Sequence, residues 1–412
     1  MNHFIQQIHI DNLFHLKDLD IPISSSNCPH LIITGKNGSG KTLLLDSMSH
    51  FFQLCIKESK RIGFAKPLPE SIIDEDMDSF AVRSELLYPS GKSSLNLSWP
   101  FMNGKMAAFF YDFSNAINSI KNDAFVLAFY QADRSFRMIE PDSPQKPVVV
   151  TDDIRHNSSG QFINFLVDLK FQELLAISNK DVQREAEINS WFDTFVGLLR
   201  RLFEDESLIL QFSQQDSYSF KVCTKGQTFG FNEMSDGFKA ALNIVADLIL
   251  RMHKGGKLSD VFNQEGIVLI DEIETHLHLS LQKMIMPFLT GVFPNIQFIV
   301  TTHSPFVLSS MPNAVAYDLE HQEVISDLTE YSYEALAEGY FGVKTSSSYS
   351  EMRLNDFRLL LEKDQWTEAD KVKVKNLNEN FEKIPEVVSP LIVGEYKKLA
   401  IQYANKLMTL QK

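Results

Sequence analysis

Cysteine is scarce in this chain, and long apolar runs are missing. The three cysteines, Cys28, Cys55 and Cys223, stand too far apart for the paired spacings of a zinc site or a disulfide framework. Reduced thiols and a cytoplasmic setting are therefore expected. No stretch approaches the roughly 20 apolar residues of a membrane-spanning helix. Residues 1–11 mix His, Gln and Asn among apolar side chains, unlike a signal peptide. No membrane role is expected. Positive charge is also short, with 39 Lys and Arg against 53 Asp and Glu and a net charge of −14. A general nucleic-acid binder is usually basic on at least one face. Here the basic clusters are small (57–66, Arg200-Arg201, Lys397-Lys398) and read as solvated surface. Tight, autonomous DNA binding is disfavoured, while a local patch or a basic partner stays open. Repeats and low-complexity tracts are absent, and two helical patterns near 158–178 and 181–204 do not sustain the heptads of a coiled coil.

What is present is enough apolar residue, 44% of 412, to bury a large core, in two lobes. Alternation in 4–23 predicts two short strands joined by a turn. The apolar run from Leu31 to Thr34 then enters Gly35-Lys36-Asn37-Gly38-Ser39-Gly40-Lys41-Thr42, which has the G-x-x-x-x-G-K-[ST] spacing of a phosphate-binding loop. Glycines let the backbone curl with its N–H groups inward, and the next helix opens with free N–H groups and a positive dipole end. Lys41 can reach the β- and γ-phosphates, and the Thr42 hydroxyl can complete a Mg²⁺ shell. Those residues predict a nucleoside triphosphate.

Short β-type runs follow at 83–88, 94–99, 105–111 and 124–130, with turns at Gly91, Asn103 and Gly104. The acidic cluster Glu70, Asp74, Glu75, Asp76 and Asp78 reads as a soluble loop. After a break at Pro141, Pro144 and Pro147 comes a helical hairpin, then three short strands and an apolar helix from Ala240. Residues 267–270 form a buried strand ending in Asp271-Glu272. Asp271 suits Mg²⁺, and Glu272 suits orienting the attacking water or accepting its proton. A third buried strand, 296–302, ends in His303-Ser304-Pro305, and His303 can sense a γ-phosphate by donating a hydrogen bond. Met234-Ser235-Asp236-Gly237 before a helix offers a second place for an anion. Apolar strands alternating with helices predict a parallel, helix-flanked sheet. Residues 331–412 read as mainly helix, with starts at Thr367/Asp370 and Ser389-Pro390.

In this order, the phosphate loop, Met234–Gly237, Asp271-Glu272 with Glu274-Thr275-His276-Leu277-His278, and Thr301-Thr302-His303-Ser304-Pro305 resemble the ABC-type ATPases. The nearer likeness is to their soluble branch of RecF, SMC and OLD-family ATPases. The 267–305 block is most like the PtuA ATPases of Septu and retron-associated anti-phage systems. The resemblance spans 1–325. It implies an α/β ATPase head with a mixed or parallel sheet, an antiparallel β subdomain, an inserted helical lobe and a helical C-terminal region. The segments would be 1–140 and 233–326 for the two parts of the head, 141–232 for the lobe with its short strands, and 327–412 for the helical tail.

It further implies ATP and Mg²⁺ as cofactors, with Thr42, Asp271 and Gln131 around the metal. ATP would lie between residues 35–42 of one copy and Ser235 and Gly237 of another, in a head-to-tail dimer or a higher oligomer. Gln131 would couple Mg²⁺ and water to the helical lobe, and Glu274 to His278 would cross the dimer interface. His276 and His278 suit packing or interface contacts rather than a metal. Phe238-Lys239 replace the Gly and Gln usual after the signature serine, which sets transporters aside. The 229 residues between Thr42 and Asp271 are too few for an SMC-like arm. No Glu…Asp-x-Asp set follows His303, so no TOPRIM nuclease is expected. The implied role is the ATP-sensing half of a defence complex whose HNH nuclease is a separate chain, with nucleic acid or retron DNA/RNA reached through that complex. A RecF-like repair ATPase and a non-hydrolysing, ATP-bound scaffold are the alternatives.

Overall fold

A computed structural model describes residues 4–23, 30–61, 72–73, 81–85, 92–99, 104–111, 119–134, 137–214, 218–255, 257–325, 328, 331, 333–340, 348–385 and 389–408. The acidic residues of the 70–78 cluster, Cys28 and residues 62–66 of the basic cluster lie outside these residues. Cys223 is a free thiol.

The alternating N-terminal residues form β1 (Ile5–Leu13) and β2 (Leu16–Pro22), an antiparallel pair. Ile5, Ile8, Ile10 and Ile21 point into the core from this pair. Five buried residues make β3 (His30–Thr34), and α1 (Lys41–Arg61) leaves the glycine turn after it. The short runs that follow become β4 (Ile72–Ile73), β5 (Ala81–Glu85), β6 (Lys92–Trp99) and β7 (Gly104–Tyr111). Together with β1 and β2 they make a six-stranded sheet in the order β2-β1-β7-β6-β5-β4, with every pairing antiparallel. This is the expected antiparallel β subdomain.

The all-apolar run becomes β8 (Phe125–Tyr130). The helical hairpin is α2 (Phe162–Asn179) and α3 (Val182–Phe203). Between them Lys180 takes a left-handed conformation at φ 57°, and Asp181 caps α3 by accepting from the Arg184 amide at 3.1 Å. Phe165, Trp191 and Phe195 fill the hairpin, with the Trp191 and Phe195 rings stacked 5.4 Å apart. A small antiparallel sheet, β9 (Ile209–Gln214), β10 (Tyr218–Thr224) and β11 (Gln227–Gly230), leads to α4 (Asp236–Gly255).

Then come β12 (Glu265–Ile270), α5 (Leu279–Val292), β13 (Ile296–Thr301), α6 (Pro305–Leu308), β14 (Ala314–Asp318) and β15 (Glu323–Ile325). The second six-stranded sheet has the order β15-β14-β3-β13-β12-β8, parallel except at β15. Its strands are near-continuous apolar runs because both faces are covered. The buried Gln297 amide ties the two sheets together. It accepts from the Ile5 N–H and donates to the Ile5 carbonyl, both at 2.9 Å. Parallel strands end on the same side, so the residues following β3, β8, β12 and β13 are delivered to one rim. Ligands of open parallel sheets bind at that rim.

The chain divides into two units, 1–333 and 334–412. Helix α7 (Tyr333–Gly339) follows β15, and in the second unit α8 (Ser348–Glu362), α9 (Glu368–Glu382) and α10 (Pro390–Gln402) surround Phe357, Val374, Phe381 and Tyr396. Thr367 and Asp370 form a capping box at α9, as their spacing predicts. Ser389 precedes Pro390 at the start of α10 but makes no side-chain cap bond.

Candidate nucleotide site

The phosphate loop runs from the end of β3 to the first turn of α1. Gly40 sits at φ +100°, and a Cβ there would lie 3.1 Å from Leu16 Cδ1 and 3.2 Å from the His15 ring. Only glycine lets the β1–β2 turn press so closely on the loop. The Lys41 side chain lies back over the loop. Its Nζ donates to the carbonyls of Gly35 at 2.7 Å and Lys36 at 3.0 Å. Burial pulls the Lys41 pKa down, while Glu272, Asp271, Glu274 and Asp318 push it back up. Lys36, Asn37, Gly38 and Thr42 are exposed, Ser39 is half-buried, and Lys36 pairs with Glu320 at 2.7 Å.

Three side chains, Thr42 of α1, Asp271 after β12 and Thr301 at the end of β13, are linked with the Glu272 N–H into one network. The Thr42 hydroxyl donates to Asp271 Oδ2 at 2.9 Å, and the Thr301 hydroxyl donates to Asp271 Oδ1 at 2.6 Å. Thr301 Oγ1 accepts in turn from the Glu272 N–H at 2.7 Å. Glu272 turns the chain at φ +44°, a left-handed conformation rare outside glycine. Its half-buried side chain leaves the strand at the rim. Glu274 steadies the neighbouring strand end, accepting from the Thr302 hydroxyl at 2.8 Å and the His303 N–H at 2.6 Å. Burial, and then the charge of Lys41, lower the His303 pKa, so at neutral pH the ring is uncharged and donates from one nitrogen. Ser304 caps α6, accepting from the amides of Phe306 and Val307, which accounts for the Ser-Pro after His303.

Gln131 is exposed one residue beyond Tyr130, which pairs in register with Ile270. It therefore leaves the sheet beside Asp271, whose N–H donates to the Tyr130 carbonyl at 2.8 Å. Ser235 is exposed and Gly237 is buried at the start of α4. A Cβ on Gly237 would lie 3.2 Å from the His276 carbonyl oxygen and 3.0 Å from Leu281 Cδ1, so the signature turn and the 274–278 turn are packed together. Among the described residues no hydrogen bond joins Ser235 to the phosphate loop. Beside it lies a cleft of about 630 Å³ lined by Phe203, Lys225, Thr228, Met234, Ser235 and Phe238.

Three features escape sequence reasoning. Thr301 reads only as the residue before Thr302-His303, yet it bridges Asp271 and Glu272. Arg134 follows Gln131 without any motif of its own. It is buried, and its Nη2 donates to the Glu272 carbonyl at 2.6 Å. Burial lowers its pKa to about 10 against the pull of Glu274, Asp271 and Glu272, so it remains a cation. Third, Asp247 of α4 accepts from the Tyr130 hydroxyl at 2.7 Å, Arg251 Nε at 2.8 Å and the Ser158 N–H at 2.6 Å. That cluster ties the helix after Ser235 to the strand before Gln131.

The protein's oxygens fit Mg²⁺. Two oxygens on adjacent corners of an octahedron with Mg–O near 2.1 Å lie about 3.0 Å apart, close to the 2.9 Å between Thr42 Oγ1 and Asp271 Oδ2. Among the described residues no group of three or more His, Cys, Asp or Glu could hold a metal. A Mg²⁺ here would take its remaining ligands from phosphate and water, as this ion does in phosphoryl-transfer sites.

Residues 31–309 match the family model described as "AAA domain, putative AbiEii toxin, Type IV TA system". The chain belongs to this AAA-domain ATPase family. It is 25% identical over 400 residues to the Septu protein PtuA of Bacillus mycoides strain KBAB4, covering 94% of this chain and 52% of that protein. The chain thus spans about half the length of that relative. Another Septu protein PtuA, from Bacillus thuringiensis, is 25% identical over 319 residues, 74% of this chain and 73% of that one. The Retron Vc95 probable ATPase of Vibrio cholerae serotype O1 biovar El Tor is 31% identical over 154 residues, 37% of this chain and 29% of its own. Among solved structures, an SMC head bound to the C-winged helix domain of ScpA aligns over 80% of this chain and 100% of that one, at a TM-score of 0.39 and 15% identity. Among the described residues no helix is long and apolar enough to cross a membrane.

Proposed function

We propose that the chain binds Mg²⁺-ATP at residues 35–42 and hydrolyses it. In this reading the loop amides, Lys41 and Thr42 bind the phosphates, and Thr42 and Asp271 hold Mg²⁺, which would neutralise charge developing on the phosphate oxygens. Glu272 orients the attacking water and accepts its proton, His303 donates to the γ-phosphate, and Gln131 lies beside the metal. The observation that carries it is the continuous path Thr42–Asp271–Thr301–Glu272. It supports the reading by joining a phosphate-loop hydroxyl, a candidate metal carboxylate and the backbone of a candidate base in one hydrogen-bonded chain.

A second copy would complete the site with the exposed Ser235 and with Gly237 buried beside it, a turn that no hydrogen bond among the described residues joins to the phosphate loop of its own chain. The likeness to Septu and retron proteins supports a place in anti-phage defence, as the ATP-sensing subunit that governs a separate nuclease of HNH type. A net charge of −14 favours this over autonomous DNA repair.

Steady-state phosphate release from the wild type and from Glu272→Gln tests the chemistry. Turnover should fall by on the order of 10² or more while ATP affinity is kept, because the amide preserves size but cannot take a proton. Unchanged turnover would overturn the assignment of Glu272.

A further inference from the structure

A left-handed Glu272 is an unusual place for a general base. L-residues resist that conformation, and it persists where surrounding contacts hold it. Three contacts clamp the Glu272 backbone, one at its N–H and two at its carbonyl. Thr301 Oγ1 accepts from the Glu272 N–H at 2.7 Å. On the other side the Glu272 carbonyl accepts from Arg134 Nη2 at 2.6 Å and from the Thr275 N–H at 2.9 Å. Thr301 and Thr275 belong to the strand rim and the turn itself. Arg134 is different, because it comes from the segment after β8, the same segment that carries Gln131.

Arg134 is only 7% exposed, and its Nε and Nη1 have no hydrogen-bond partner. Buried guanidinium donors without partners are rare, and a residue that needed only one hydrogen bond could supply it more cheaply. What Arg134 adds is a fixed fork of donors and a permanent positive charge. That charge sits among Glu272, Glu274 and Asp271, the three carboxylates whose mutual repulsion would otherwise spread the rim.

We infer that Arg134 is a positioning residue for hydrolysis. By holding the Glu272 carbonyl it fixes where the Glu272 carboxylate points, and it passes any shift of the Gln131 segment directly to the base. The inference rests on the reading of Glu272 as the base. It gives Arg134 no contact with nucleotide, so binding and turnover should separate when it is removed.

The test uses the full chain with Arg134→Met, and with Arg134→Lys as a second variant that keeps the buried charge. In phosphate release, Arg134→Met should lose about tenfold or more in kcat while KM for ATP stays within about twofold. Added guanidinium should restore part of that kcat. In amide hydrogen exchange without nucleotide, residues 271–277 should exchange faster, while 31–45 stay as in the wild type. Arg134→Lys, with its charge but without the fork, should fall between wild type and Arg134→Met in both measurements. Unchanged kcat with unchanged exchange at 271–277 would overturn the inference. So would parallel losses of ATP binding and kcat with exchange rising throughout, because those mark a merely structural residue. If the wild type itself shows no turnover, the hydrolysis reading fails, and the exchange arm still decides whether Arg134 holds the Glu272 turn.

Discussion

His30 opens β3 five residues before Gly35 of the phosphate loop, and its Nδ1 accepts from the Phe298 N–H at 3.2 Å. Burial lowers its pKa from 6.5 to about 4. Above pH 6.5 the ring is neutral in both folded and unfolded chains, so its contribution to stability is fully present there. As pH falls from 6.5 towards 4, the unfolded chain takes up the proton first, and up to about 3 kcal/mol is lost. His30→Gln keeps an acceptor near Phe298 but does not titrate. The stability gap between wild type and variant, from urea unfolding at pH 7 and pH 4.5, should therefore shift towards the variant on acidification. A gap independent of pH would show that His30 is not held neutral. This residue also marks where reading a sequence stops. Lys41, Thr42, Asp271 and His303 are legible because their chemistry requires them at fixed distances from glycines or strand ends. Thr301, Arg134 and His30 act through partners far away in sequence, and no local spacing marks them.

At the scale of elements, period-2 and period-3.6 patterns place nearly all the strands and helices within a few residues, because each buries one face or both. Helix α4 is expected from Ala240 but starts at Asp236, since the signature turn is itself its first turn. The contact that joins α4 to β8 is invisible in the pattern, because Asp247 and Arg251 read as ordinary charges inside an apolar helix. Both are buried, with Asp247 at 0% and Arg251 at 3% exposure. Arg251 also donates to the Leu127 carbonyl at 3.1 Å, so the cluster reaches into the sheet. Asp247→Ala would leave Arg251 without its carboxylate, and Tyr130 and the Ser158 N–H without acceptors. The expected cost is about 3–5 kcal/mol, the range for breaking one side of a buried charge pair. Urea unfolding measures it, and a loss below about 1 kcal/mol would mean the cluster relaxes onto water. The cluster thereby joins α4, the helix that follows Ser235, to β8, the strand that precedes Gln131.

At the scale of the whole molecule, residues 36–38 and Thr42 of the phosphate loop and Ser235 of the turn before α4 are exposed on one copy, yet no hydrogen bond joins the two stretches among the described residues. A head-to-tail pair would bring each against the other's counterpart, giving two sites with a closed two-fold arrangement. Lys41→Ala removes the charge that in the proposed reading would meet the phosphates but leaves that chain's Ser235 intact. Ser235→Arg puts a bulky cation where the partner's nucleotide would dock but leaves that chain's phosphate loop intact. Each variant alone should be inactive in phosphate release. A heterodimer purified through two different tags has one site with both halves intact and one with both altered. Its turnover should be about half the wild-type value if the two sites act independently. Turnover well below half but above either homodimer would mean the sites fire together. A heterodimer as inactive as the single variants, despite stable pairing, would remove Ser235 from the partner's site and with it the head-to-tail arrangement.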